Sequence, residues 1–233
     1  LGGGFRQHRA TLALGLKTLA VPMCLPIKLT AGHAHTLLEE GVDAVFLPSV
    51  MILPGDAPAR SYACPYAMAA PFMIGGEERK RFLTPVSSFV SEDEFVEGFA
   101  GSRGTLTASR QRIRAAYRSA LHVQERFEAS LRGRADELRA AGGFRHVFAV
   151  LGKPYNTFDA FLNLRLFERL RRMDLLAIPL MYLPHDTEAV SALPWRFSTD
   201  IHRAAVWAAR TGGVFPVIIS NFGCGPDAFT FRH

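Results

Sequence analysis

Cysteine is scarce in this chain. Its 233 residues hold three, Cys24, Cys64 and Cys224, which cannot all pair as disulfides and form no Cys-x-x-Cys element. A secretory context is missing too, because the opening Leu1-Gly2-Gly3-Gly4 has no basic stretch followed by an apolar core. The expected compartment is therefore the cytoplasm, with the thiols reduced or metal-bound. No apolar run reaches the roughly 18 residues of a membrane-spanning helix. The longest candidate, 214–222, is strand-sized and contains Pro216. Neither glycine-rich phosphate loop, Gly-x-x-x-x-Gly-Lys-Ser/Thr or Gly-x-Gly-x-x-Gly, occurs, so ATP hydrolysis by this segment is not expected. The start at Leu1 and the stop at His233, close after a predicted strand and loop, read as a piece of a longer protein.

What is present is globular in composition. A 48% hydrophobic, 21% charged chain of this length can bury one large core or two small ones. The net charge of +6 invites a nucleic-acid partner, but its distribution argues against one. Between Arg103 and Arg139, nine Arg stand against Glu125, Glu128, Asp136 and Glu137, so this segment alone carries nine minus four, or +5. The segment is periodic and reads as the solvated face of a helix. It lacks the basic–aromatic interleaving of single-strand binders.

Residues 1–23 show little pattern. A helix is expected from Lys28 through His33 and His35 to a stop at Gly41, followed by a buried strand over 42–50. Pro54, Pro58, Pro65 and Pro71 mark 53–71 as loop-rich. The acidic patch Glu92, Asp93 and Glu94 follows, among turn signals. Residues 106–141 carry the clearest helical period, with Ile113, Tyr117, Leu121, Phe127, Leu131 and Leu138, and end at Gly142-Gly143. Beyond it, strands are expected over 146–151, 175–180 and 214–220. Helices are expected over 159–173, with Phe161, Leu164, Phe167 and Leu170 inward, and over 199–211. This alternation predicts an α/β fold with a doubly wound parallel sheet. The expected organisation is a first α/β half over 1–104 carrying Cys24 and Cys64, a connecting helix over 105–143, and a second half over 144–233 carrying Cys224.

All three cysteines sit beside proline, at Pro26, Pro65 and Pro226, and Cys224 is flanked by Gly223 and Gly225. Cys24 precedes a predicted helix, a place that favours thiolate. Cys64 and Cys224 follow predicted strands, whose carboxyl ends face the ligand crevice of a parallel sheet. Rigid turns bearing thiolates suit an iron–sulfur cluster. Two alternatives stand beside it: a zinc ion on the three cysteines and a histidine, or inert buried thiols.

The segments Cys-Leu-Pro-Ile-Lys-Leu-Thr-Ala-Gly-His (24–33), Gly-Val-Asp-Ala-Val-Phe-Leu-Pro (41–48), Ala-Cys-Pro-Tyr (63–66), Gly-Lys-Pro-Tyr-Asn-Thr-Phe-Asp (152–159) and Ser-Asn-Phe-Gly-Cys-Gly-Pro-Asp-Ala-Phe (220–229) resemble, in this order, the acyl-CoA dehydratase activase-related proteins. That group is itself similar to the 2-hydroxyacyl-CoA dehydratase subunits. The resemblance implies two Rossmann-like halves joined by the long helix, with a 4Fe-4S cluster in the crevice between them. The ligands it implies are Cys24, Cys64 and Cys224. It also implies an electron-accepting role beside an ATP-dependent activator, and reductive chemistry on an acyl-CoA. The non-catalytic alternative is a metal-binding module that docks an ATPase partner through the basic helix, with Arg110, Arg114 and Arg118 in contact. Three thiolates suit one site-differentiated cube, and equally a cluster shared across a homo-oligomer. Lys28 and His33, on the helix after Cys24, are candidate donors to the cluster or to a substrate phosphate. Lys153, Tyr155 and Asn156, with Asp159, occupy a turn at a strand's carboxyl end and are candidates to line the crevice. Asp227 is read either as a helix cap or as a residue that orients the site.

Overall fold

The computed structural model describes residues 6–19, 21–102, 108–184 and 192–232. Leu1–Gly4, Arg103, the 104/105 boundary, the expected helix start at 106 and His233 lie outside them. The chain is a mixed α/β protein with short parallel sheets and one long helix, α5 (Arg110–Ala141). It divides into two compact units, Leu1–Arg118 and Ser119–His233.

The first unit begins with a helix where the sequence shows little pattern. α1 (Arg6–Thr18) packs on α2 (Leu25–Glu39), and glycines let their backbones touch. A Cβ at Gly15 would lie 1.8 Å from the Lys28 carbonyl oxygen, and one at Gly32 would lie 1.8 Å from the Thr11 carbonyl oxygen. A helix that docks through glycine leaves a faint hydrophobic period, which is why this one escapes a pattern search.

The single strand expected over 42–50 is two strands. β1 (Val45–Phe46) pairs in parallel with β3 (Phe82–Leu83), and β2 (Ser49–Ile52) with β4 (Val86–Ser88). Val45 lies opposite Phe82 and Ser49 opposite Val86, so the register sets Pro48 against Pro85 at the interruption. Proline has no N–H to give the ladder. The chain crosses the gap through the N–H groups of Leu47 and Ser49, which donate to the carbonyls of Leu83 (2.9 Å) and Pro85 (2.8 Å).

The stretch expected as loop over 53–71 also contains a helix, α3 (Pro65–Met73). Pro65 sits in its first turn, where a missing N–H costs nothing, and Pro71 is buried within it. The Ser49 hydroxyl on β2 donates to the Met68 carbonyl of α3 at 2.8 Å. Met23, Cys24, Ile27, Leu38, Val45 and Phe82 belong to the core beneath these helices.

α4 (Glu92–Ala100) is capped by Ser91, whose hydroxyl accepts from the Glu94 N–H at 3.1 Å. Its acidic residues meet the arginines of α5. Arg110 grips Glu97 through two bonds of 2.7 and 2.9 Å, and Arg118 grips Glu92 through two of 2.6 and 2.9 Å. Arg114 reaches Asp93 at 2.6 Å and Glu92 at 3.1 Å. Behind this zipper, Tyr117 packs against Phe95 with ring centroids 4.6 Å apart, and Phe95 stacks on Phe99 at the same distance. Arg110, Arg114 and Arg118 thus pair within the first unit while their side chains stay partly or largely exposed.

The second unit is a three-stranded parallel sheet in the order β6-β5-β7, from β5 (His146–Leu151), β6 (Leu175–Pro179) and β7 (Val214–Ile218). α6 (Pro154–Phe158) and α7 (Leu166–Arg171) lead from β5 to β6, α8 (Arg196–Arg210) leads to β7, and α9 (Gly225–Thr230) follows. Leu151, Ile178, Leu180 and Ile201 fill the core. The single helix expected over 159–173 does not form. Leu164 and Arg165 take left-handed φ values of 53° and 59° and break it, and Leu164, expected inward, is 70% exposed.

Candidate functional site

Each cysteine occupies the position just before a helix. Cys24 precedes α2, Cys64 precedes α3 and Cys224 precedes α9. Their backbones are extended, with φ/ψ of −64°/156°, −63°/136° and −81°/101°, and each helix has proline in its first turn. Proline fixes the entry angle and withdraws an N–H that would otherwise go unused. Neither Cys24 nor Cys64 uses its side chain to cap its helix, and no cysteine is in a disulfide. Cys24 is buried, while Cys64 and Cys224 are partly exposed. α2 and α3 pack together, so the first unit carries two of the three thiols at the heads of adjacent helices.

Cys224 belongs to the second unit, and a second residue there has the same local form. Lys153 precedes α6 with φ/ψ of −63°/153° and Pro154 behind it. The strand order turns back at β5, because β6 lies on one side of it and β7 on the other. The crevice beyond such a switch point is where open α/β sheets take ligands. Gly152 lets the two loops meet there, since a Cβ on it would lie 2.6 Å from Cγ2 and 2.8 Å from the carbonyl oxygen of Ile219.

Across this contact the Lys153 ammonium donates to the Cys224 sulfur at 2.8 Å and to Asp227 Oδ1 at 2.5 Å. The other Asp227 oxygen accepts from the Ser220 hydroxyl. Asn156, fully buried, accepts from the Asn221 amide and donates to the Ile219 carbonyl at 3.5 Å. Burial disfavours the Lys153 ammonium, but the Asp227 carboxylate and the Cys224 sulfur outweigh it and hold its pKa above the usual lysine value. At Cys224 burial dominates and pushes the thiol up. The Lys153 ammonium and the Asp227 backbone amide pull the other way.

Of the residues singled out in the sequence, Lys153 and Asn156 therefore meet the loop that bears Cys224. Tyr155 stands half-buried between them on α6. Lys28 is one turn after Cys24 and is half-buried, and its N–H donates to the Cys24 carbonyl at 3.3 Å. His33 lies on the exposed side of α2. Asp159 accepts from the N–H groups of Phe161 and Leu162 and shapes the turn after α6. Sequence reasoning missed Ser220 and Asn221 and left Asp227 without a partner. The available signal was the dense polar content of 220–227 straight after a strand. Among the described residues, no group of three or more His, Cys, Asp or Glu side chains comes together as a metal-binding set. No helix among them is long and apolar enough to cross a membrane.

A family model described as the CoA enzyme activase uncharacterised domain matches residues 6–183, well over half of the chain. The match includes Cys24, Cys64, Lys153 and Asn156 and ends before Cys224. No curated protein and no solved structure matches the chain. With the motifs at 24–33, 63–66 and 152–159 inside the matched span, the chain belongs to the acyl-CoA dehydratase activase-related family, as a CoA enzyme activase domain.

Proposed function

We propose that this chain is the iron–sulfur component of a CoA-enzyme activation system, with Cys24, Cys64 and Cys224 as ligands of a 4Fe-4S cluster. The observation that carries this reading is the common setting of the three thiols, each at the head of a proline-stiffened helix. For α2 and α3 the helix dipole and unused backbone N–H groups favour a negatively charged sulfur at that position. The donor set fits the group, because three thiolates can hold a cube and leave one iron open to an outside ligand. When bound, such a cluster supplies one-electron transfer.

The chain's own residues hold and tune the site. Cys24 is set in the first unit's core by α1 and α2, and Lys28 is the nearest cationic candidate on α2 to assist it. Lys153 and Asp227 govern the surroundings of Cys224. His33 and Tyr155 are candidate contacts for a substrate or partner. The β6-β5-β7 order supports reading the second unit as a Rossmann-like half, and the parallel pairs of the first unit support the same for that half. The expected partners are an ATP-dependent activator as electron source, a dehydratase as recipient, and its acyl-CoA. The expected setting is the reducing cytoplasm.

Single Cys→Ser variants test the ligand set. After anaerobic preparation each is expected to lose most of its iron and sulfide while retaining its far-ultraviolet circular dichroism. Full iron content in any one of the three would remove that cysteine from the set. One zinc per chain and no iron would favour the structural alternative.

A further inference from the structure

Lys153 is an unusual neighbour for a ligand sulfur. Its side chain is 4% exposed and that of Asp227 is 2% exposed, so the pair is held away from water. A buried ammonium needs a counter-charge, and Asp227 alone supplies one at 2.5 Å. The second hydrogen bond, to Cys224 at 2.8 Å, is not needed for that purpose. It points a full positive charge at a sulfur, and the best acceptor for such a donor is a thiolate. The geometry is fixed from both sides. Asp227 is steadied by the Ser220 hydroxyl, and the Lys153 loop is joined to the β7 loop by the Asn156–Asn221 amide pair and the Gly152–Ile219 contact.

We infer that Lys153 is a positioning residue for the Cys224 ligand: its ammonium, anchored by Asp227, donates to the ligating sulfur and makes the redox centre easier to reduce. The inference rests on the iron–sulfur reading above. Reduction adds negative charge to the centre, and hydrogen bonds to ligand sulfurs raise the potential at which it occurs. Asp227 has two opposed effects: it holds the donor in place, and its own charge offsets that of the ammonium.

The test is redox potentiometry of the anaerobically prepared chain, with iron and sulfide measured on every sample. Lys153→Met combined with Asp227→Asn removes both charges and the hydrogen bond together, which avoids leaving a lone charge in the core. This double variant is expected to keep its iron and to shift the midpoint potential to a more negative value. Asp227→Asn alone keeps the donor and removes the offsetting charge, and is expected to shift the potential to a more positive value. Should the double variant not retain iron, Lys153→Gln with Asp227→Asn is read in its place: it removes the ammonium and its anchor without stranding a charge and is likewise expected to lower the midpoint potential, and an unchanged or higher potential overturns the role of Lys153. Unchanged potentials, or shifts of the opposite sign, with iron retained overturn the role of Lys153 and leave the iron–sulfur reading standing. A wild-type chain without iron overturns both.

Discussion

Lys153 and Asp227, 74 residues apart in sequence, form an ion pair of 2.5 Å in which both side chains are almost wholly buried. Breaking such a pair from one side leaves a charge in the core. Asp227→Ala is expected to cost about 3–5 kcal/mol, whereas Lys153→Met with Asp227→Leu costs far less because no charge is stranded. Urea denaturation of the two variants checks this. Equal losses would show that the pair is not the source of the cost.

The reciprocal glycines of α1 and α2 predict opposite outcomes for chemically identical changes. Alanine at Gly15 or Gly32 would place a carbon 1.8 Å from a backbone oxygen, so the helices must separate. The expected loss is about 1–3 kcal/mol, larger than the gain in helix propensity. Gly133, exposed on α5 with nothing within 4 Å of its would-be Cβ, is the control. Gly133→Ala is expected to stabilise by up to about 1 kcal/mol. Thermal melts of the three variants decide the matter.

The α4–α5 zipper should respond to acid and to salt. Hydrogen bonds from Arg118 and Arg110 hold Glu92 and Glu97, respectively, below the ordinary carboxyl value of 4.5. A depressed folded-state pKa gives stability that is fully present above 4.5 and is lost as the pH falls through the lowered folded value. Tyr117 rests on Phe95 beside this zipper, so its fluorescence should change in the same acidic window. The pairs are exposed, so high salt should move the transition toward neutral pH. An acid titration of Tyr117 that ignores salt would contradict this.

The positions that could be read from the sequence are those where one residue type has one local use. Cys24 in Cys-Leu-Pro is expected to precede a helix, and α2 does begin straight after it, whereas the helices behind Cys64 and Cys224 are not expected from the sequence. β5, β6 and β7 are apolar runs bounded by turn residues, and all three form as parallel strands. The failures occur where a tertiary contact overrides the local pattern. α1 packs through glycine, α3 begins and continues through proline, and the expected 159–173 helix yields to two left-handed residues that no composition signals. Facing prolines at 48 and 85 cut one expected strand into two, a consequence of pairing that neither segment carries alone. At the site, Lys153 and Cys224 were each legible as candidates. Their contact was not, because it depends on β5 and β7 lying side by side.

The arginines of α5 lie on an exposed face, as the solvated-helix reading expects, but their partners were not legible. In the structure Arg110, Arg114 and Arg118 are met by the acidic patch of α4, two features that stood apart in the sequence.

The most direct test of the central claim is iron and acid-labile sulfide analysis, with a visible spectrum, on wild-type chain purified without oxygen. The account predicts a brown protein with about four iron per chain that bleaches on reduction. A colourless protein without iron would contradict it.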